Sequence, residues 1–88
     1  MPRMVITHDV VDLERWLKGK EERSAALGAV GTDVTDYVAA DDRNRVAVSA
    51  TIHDMAALQA LLDAPPPEVA AQMEAHGVVP PLNVYIEK

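Results

Sequence analysis

The chain has 88 residues, enough for one domain, which we expect to span residues 1–88. Eight Lys and Arg residues stand against 14 Asp and Glu residues, so the formal charge is −6. An acidic surface of this kind disfavours nucleic acid as a partner. Cysteine is absent, which excludes disulfides, thiolate catalysis and cysteine-held metal centres. No apolar run approaches the roughly 18 residues of a membrane span, and no signal-peptide pattern is visible, so we predict a cytoplasmic protein with no membrane partner.

The first third of the chain has the pattern of a strand followed by an amphipathic helix. Residues 4–7 form a β-branched run that predicts a first strand ending at His8. The helix is expected to begin after the N-cap Asp12 and to end at Gly28 or Gly31. Its inward face is predicted to hold Leu13, Trp16, Leu17, Ser24 and Leu27, with Glu14, Arg15, Lys18, Glu22 and Arg23 pointing elsewhere.

The inward face of this helix has a polar gap around Lys20, Glu21 and Ser24. Gly19 lies beside the gap and costs about 1 kcal/mol relative to Ala, so we expect a weak point or bend there. The gap has two interpretations that the pattern leaves open. Either the helix lines a small-molecule pocket, or its end overhangs the sheet.

The rest of the chain supplies three more strands and two more helices. The predicted elements are a strand over 32–40, a turn over 41–44, a strand over 45–52, a helix capped by Asp54, a helix from Pro67 to Gly77 and a strand over 82–86. Three prolines at 65–67 separate the two helices, and Pro80 and Pro81 mark a break before the last strand. The order β-α-β-β-α-(α)-β predicts an α+β ferredoxin-like plait, a four-stranded antiparallel sheet with its helices on one face.

A short sequence pattern occurs twice, each time where a strand gives way to a helix. His8-Asp9 with Leu13 is repeated as His53-Asp54 with Leu58. One interpretation is a pair of equivalent His-Asp sites. The interpretation that we favour is structural, because each strand-to-helix junction needs a small polar cap.

The sheet face without helices is predicted to be unusually poor in charge. It should carry Thr35, Tyr37, Ala39, Ala47, Ser49, Thr51, Asn83 and Tyr85, with Glu87 as its charged residue. A solvated sheet face normally holds Lys, Glu and Arg instead. We therefore predict a homodimer in which two such faces pack together around a two-fold axis. The alternative is a monomer whose open sheet face is poor in charge but exposed to solvent.

Several stretches resemble the dimeric α+β-barrel superfamily, and within it the antibiotic-biosynthesis-monooxygenase-like group. They are Asp12-Leu13 with Trp16-Leu17, the acidic turn before 44–46, Asp54-Met55 with Leu58, and His76-Gly77 continuing through Pro80-Pro81 to Tyr85. The resemblance covers essentially the whole chain and implies a homodimer whose sheets close into a barrel, with a pocket between sheet and helices. That superfamily contains cofactor-free monooxygenases of polyketide-type aromatics, haem-degrading enzymes, lyases and members without known activity, so the fold alone does not assign a reaction.

Histidine is the residue best suited to acid–base chemistry near neutral pH. We predict His8 as a candidate general base, with Trp16, Ser24, His53 and Tyr85 as substrate-binding residues. The structural explanation is favoured for two of them, because Trp16 is more often the largest core residue and Tyr85 is expected on the dimer face. The histidines lack metal-ligand spacing, and His8 and His53 are expected near opposite ends of the sheet, so no metal or cofactor is predicted.

Two functions are expected. One is a homodimer that binds an apolar or aromatic small molecule, for which the resemblance implies a polyketide-type compound and cofactor-independent monooxygenase-like or cyclase-like chemistry. The other is a non-catalytic dimeric domain whose interior is filled by its own side chains. A cavity of at least ~300 Å³ beneath the first helix, lined by Trp16 and a histidine, would favour the first function.

Overall fold

The computed structural model describes residues 2–41 and 43–88 of the chain. Four antiparallel strands form one sheet in the order β2-β3-β1-β4. The elements are β1 (Arg3–Val10), α1 (Leu13–Lys18), α2 (Lys20–Gly28), β2 (Gly31–Val38), β3 (Arg45–Ile52), α3 (Met55–Asp63), α4 (Pro67–Ala75) and β4 (Val78–Ile86). This arrangement confirms the predicted ferredoxin-like α+β plait. Within residues 2–41 and 43–88, no helix is long and apolar enough to cross a bilayer.

The two predicted N-caps are confirmed. The Asp12 carboxylate accepts a hydrogen bond from the backbone N–H of Glu14 at 3.3 Å, and the Asp54 carboxylate accepts one from Ala57 at 3.0 Å. Capping of this kind typically stabilises a helix by about 1 kcal/mol. Asp9, the counterpart of Asp54 in the repeated pattern, caps no helix and instead pairs with Arg45 across the sheet at 2.9 Å. The repeat therefore does not mark two equivalent sites.

The predicted first helix is two helices joined at Gly19. The α1 segment ends at Lys18, Gly19 adopts φ −88° and ψ 7°, and α2 begins at Lys20. The turn shifts the inward face, so α2 points Arg23 inward and leaves Ser24 exposed. Leu17 is also exposed. The predicted inward positions of Leu17 and Ser24 and the outward position of Arg23 are therefore wrong.

The last strand begins earlier than predicted. It starts at Val78 and runs through Pro80 and Pro81, whose peptide bond is cis, rather than beginning after them. The pairing register of β4 with β1 shifts at this point, between Thr7 and Asp9. Proline is tolerated here because β4 lies at the sheet edge, where one side of the backbone needs no strand partner. The first strand is likewise longer than predicted, so His8 lies inside it.

The core lies between the helices and one sheet face, in two adjoining clusters. The first contains Met4, Ile6, Val30, Ala50, Ile52 and Leu58, and the second contains Val10, Trp16, Val46 and Val48. Trp16 is fully buried, as its apolar spacing predicted. Burying a large apolar side chain contributes about 1.5–3 kcal/mol, so these clusters dominate the stability of so short a chain.

Candidate functional site

A cavity of about 120 Å³ lies between helices α2, α3 and α4 and the sheet. Most of its wall is apolar, with Leu61, Leu62, Val69 and Met73 on the helical side and Ile6, Val48 and Leu82 on the sheet side. The polar side chains that reach it are His8, Arg23, Gln72 and His76. A concave apolar wall with a few converging polar groups is the usual form of a small-molecule site.

His8 enters the cavity from β1 and is 7% exposed. Its Nδ1 lies 2.9 Å from the carbonyl oxygen of Asp9. Because a carbonyl only accepts, Nδ1 carries the hydrogen in this pairing and Nε2 keeps its lone pair. Burial lowers the pKa of His8 below its usual 6.5, and nearby Arg23 lowers it further, against the opposing hydrogen bond to Asp9. A neutral imidazole with a free acceptor nitrogen is the form that can take a proton.

Arg23 is the buried cation of the site. Its guanidinium lies 3.8 Å from the centroid of the Trp16 ring, and its Nη1 donates to the Trp16 carbonyl at 2.5 Å. Its Nε and Nη2 face the two carboxylate oxygens of Asp36, each at 3.5 Å. The Asp36 side chain is 4% exposed, so the two opposite charges offset each other in a place where either alone would be costly.

A bulge in β2 turns Asp36 towards Arg23. The register with β3 shifts between Thr32 and Thr35, where Asp33 adopts φ +55°. Aspartate tolerates this left-handed conformation better than most residues. After the bulge Asp36 lies opposite Val48, on the helix-facing side of the sheet.

His76 closes the same cluster from the end of α4. It is 5% exposed, and its Nδ1 lies 3.3 Å from Nη1 of Arg23 while its Nε2 lies 3.3 Å from the Glu22 carboxylate. Arg23 can only donate, so His76 accepts at Nδ1 and donates from Nε2 to Glu22. Gly19 makes room for the ring, because a Cβ there would lie 2.2 Å from His76 Nε2.

Sequence reasoning missed Arg23, Asp36 and His76. A signal for Arg23 was present, since Gly19, Arg23 and Leu27 are spaced four residues apart once α2 starts a new helix at the glycine. His76 is 53 residues from Arg23 along the chain. Only the folded sheet and the helices packed on its one face bring them together.

The predicted site residues do not form one group. His8 lines the cavity, and Trp16 packs edge-on against it with ring centroids 6.1 Å apart. Ser24 is exposed on α2 and is not part of the cavity wall. His53 is exposed beyond the far end of β3, which confirms that it lies at the opposite end of the sheet from His8. Tyr85 is exposed on the face without helices.

The cavity is smaller than expected, and only its histidines match the expected lining. At about 120 Å³ it is smaller than ~300 Å³, the lower end for ordinary ligand pockets. Two histidines line it, but Trp16 does not, since Trp16 lies behind Arg23 and His8. The indole Nε1 of Trp16 is buried without a hydrogen-bond partner among the described residues. Those residues also hold no group of three His, Asp or Glu side chains suited to a metal ion.

The open sheet face carries more charge than predicted, because strand β1 adds to it. Arg3 donates to Ser49 at 3.1 Å and to Thr51 at 2.9 Å, and the Asp9–Arg45 pair lies on the same face. Asp9 and Arg45 offset each other's charge, and the Arg3 guanidinium has hydroxyl acceptors on the same face. A shallow depression of about 350 Å³ occupies its centre, with a wall that includes Thr7, Tyr37, Ala47, Asn83 and Tyr85.

Comparisons with known proteins identify the class of fold. A scan of protein-family profiles gave no match, and a search of curated protein sequences gave none either. Among solved structures, an antibiotic biosynthesis monooxygenase aligns over 100% of this chain and 97% of its own, with a TM-score of 0.67 and 13% identity.

Two further structures agree. A candidate antibiotic biosynthesis monooxygenase from Deinococcus radiodurans has a TM-score of 0.63 and 10% identity, covering 100% of this chain and 91% of its own. Another, from Nitrosomonas europaea, has a TM-score of 0.62 and 13% identity, and the alignment covers 100% of this chain and 97% of its own. The chain therefore has the ferredoxin-like fold of antibiotic-biosynthesis-monooxygenase-like proteins. At these identities the likeness concerns fold, and chemistry must be argued from the site.

Proposed function

We propose that this protein is a homodimer that binds an apolar or aromatic small molecule in the cavity between its helices and sheet, where His8 acts as a general base. The observation that carries the proposal is the apolar cavity with His8 and Arg23 in its wall. The cytoplasm stays the predicted location.

Monooxygenase-like chemistry needs only the substrate, oxygen and a base. His8 Nε2 would remove a proton from an activated methylene carbon, and the resulting carbanion would react with O₂. The balance is R₂CH₂ + O₂ → R₂C=O + H₂O, in which the carbon is oxidised and O₂ supplies both oxygen atoms. In cyclase-like chemistry the same carbanion would instead attack a carbonyl carbon. The lowered pKa of His8 supports the role of base, because it keeps the imidazole neutral.

Filling the cavity tests binding directly. Ala26 lines the cavity, whereas the adjacent Ala25 is exposed on α2. Thermal-shift and NMR titrations with small aromatic compounds should detect a ligand in the wild type and in Ala25→Leu. Ala26→Leu should abolish ligand binding, because the larger side chain would fill the space that the ligand occupies.

The small volume of the cavity favours one competing function, a non-catalytic dimeric domain with a filled interior. This alternative predicts that no aromatic compound shifts the melting temperature of the wild type or of either alanine variant. Binding that persists in Ala26→Leu would show that the ligand site lies elsewhere.

The dimer rests on the character of the open sheet face. Tyr37 and Tyr85 are 45% and 60% exposed there, beside small and hydroxylated side chains. Exposed apolar and aromatic patches on small domains commonly mark association surfaces. A sheet-to-sheet pairing would cover both tyrosines and the depression between them.

Matched glutamate substitutions test this surface. Ala47→Glu places a carboxylate near the centre of the open face, and Ala25→Glu places one on exposed α2. Analytical ultracentrifugation should give a dimer for the wild type and Ala25→Glu and a monomer for Ala47→Glu, because the interface would have to bury an unpaired carboxylate from each subunit. A wild type that sediments as a monomer would refute the dimer.

A further inference from the structure

The cavity combines one cationic group with an apolar wall of limited size. Its polar residues are linked, since Arg23 contacts His76 at 3.3 Å and lies close enough to His8 to act on it electrostatically. Its apolar wall comes from α3 and α4, through Leu61, Leu62, Val69 and Met73. A ligand in this space would meet a cation with one part and hydrocarbon with the rest.

Arg23 has hydrogen-bonding capacity to spare. A guanidinium has five N–H donors, and the described residues accept four bonds from it: two at Asp36, one at the Trp16 carbonyl and one at His76. Both contacts with Asp36 measure 3.5 Å, longer than the roughly 2.7–2.9 Å of a strong charge-assisted bond. Asp36 does not line the cavity, whereas Arg23 does. One N–H of Nη2 is therefore left without an acceptor among the described residues, on the member of the ion pair that lines the cavity.

The volume restricts the apolar part of the ligand to about one ring. An apolar cavity of about 150 Å³ in another protein accommodates benzene, and this cavity has about 120 Å³. Two or three fused rings exceed that space and would extend beyond it. The buried portion of a ligand is therefore much smaller than a polycyclic polyketide.

We propose that the cavity selects single-ring organic acids, with the anionic oxygen bound by Arg23 and the ring held among Leu61, Leu62, Val69 and Met73. This proposal rests on the proposed function, because it names the substrate class of the same cavity. It makes Arg23 the residue that determines specificity. Trp16, Asp36 and His76 then act as positioning residues that hold the guanidinium in place.

Three probes of matched chemistry test the proposal at neutral pH by isothermal titration calorimetry. Benzoate supplies a ring and an anion, benzyl alcohol a ring of similar size without charge, and 1-naphthoate an anion on two fused rings. We expect benzoate to bind at least about tenfold more tightly than benzyl alcohol, as for hydrogen bonds to charged groups. We also expect 1-naphthoate to bind more weakly than benzoate.

The variants are designed to remove the charge of Arg23 without leaving the buried Asp36 carboxylate unpaired. Arg23→Met alone would strand the buried Asp36 carboxylate, so Asp36→Asn is introduced with it. The double variant should lose the preference for benzoate and retain its affinity for benzyl alcohol. Glu22→Gln, which removes a mostly exposed carboxylate beside His76, is the control and should keep the preference.

Each outcome decides between the two proposals. Equal affinities of the wild type for benzoate and benzyl alcohol would overturn the acid preference and leave the proposed function standing. Selective benzoate binding that persists in the double variant would overturn the role of Arg23. No binding of any probe, with no effect of Ala26→Leu, would refute the proposed function itself. Tighter binding of 1-naphthoate than of benzoate would overturn the single-ring limit.

Discussion

His8 and His53 begin the same short sequence pattern and lie in very different surroundings. His8 is a buried strand residue beneath α1 and α2, with Trp16 at its edge. His53 follows β3 and is exposed before α3 begins. The strand that contains His8 extends two residues beyond it, whereas β3 ends one residue before His53. A shared pattern can thus mark a shared strand-to-helix topology without giving its members the same role.

The largest expected effect is a difference in unfolding free energy between alanine substitutions of Trp16 and Leu61, the helical residues that follow His8 and His53. Trp16 and Leu61 occupy corresponding positions in the two halves, and Trp16 is fully buried while Leu61 is half-buried at the cavity. Trp16→Ala should lower the free energy of unfolding by about 3–5 kcal/mol, and Leu61→Ala by less, because it removes fewer packed atoms. Urea denaturation followed by circular dichroism measures both. A loss for Leu61→Ala equal to that for Trp16→Ala would contradict the difference between the halves.

The fold was largely predictable because it depends on local signals. The alternation along β3, the caps Asp12 and Asp54 and the prolines between α3 and α4 each act within a few residues. The ends of β1 and β4 were predicted less well, because their length depends on pairing with each other across the sheet. Pro80 and Pro81 were predicted to precede the last strand. They lie within it because β4 is an edge strand, where proline is tolerated, and the sequence alone does not show which strand lies at the edge.

The site was only partly predictable, for a related reason. His8 and Trp16 followed from residue type and spacing, but Arg23 required the turn at Gly19 and Asp36 required the bulge at Asp33. A charged residue on an amphipathic helix is normally assigned to the solvent side. Arg23 departs from that rule because the Trp16 ring, Asp36 and His76 together replace the water that it loses.

The close packing of Gly19 against His76 is tested by a pair of glycines in the first half of the chain. A methyl group at Gly19 would collide with the His76 ring, whereas Gly28 has no atom within 4 Å of an added Cβ. Gly19→Ala should cost about 1–3 kcal/mol of unfolding free energy, as overpacking usually does. Gly28→Ala should be neutral or stabilise by up to about 1 kcal/mol. Thermal melts of both variants check this, with the NMR signals of His76 expected to move in Gly19→Ala alone.

The smallest expected effect is the pH dependence of stability that results from the burial of His8. Burial lowers the pKa of His8 in the folded protein below 6.5, so on acidification the unfolded chain takes up a proton that the folded chain resists. Stability should therefore fall as the pH drops below about 6.5 and should level off below the lowered pKa. His8→Gln should flatten this part of the stability profile, and His53→Gln is the matched variant at an exposed position. Urea midpoints measured between pH 5 and pH 8, where histidine titrates, supply the comparison, and the same slope in both variants would mean that burial does not distinguish the two histidines.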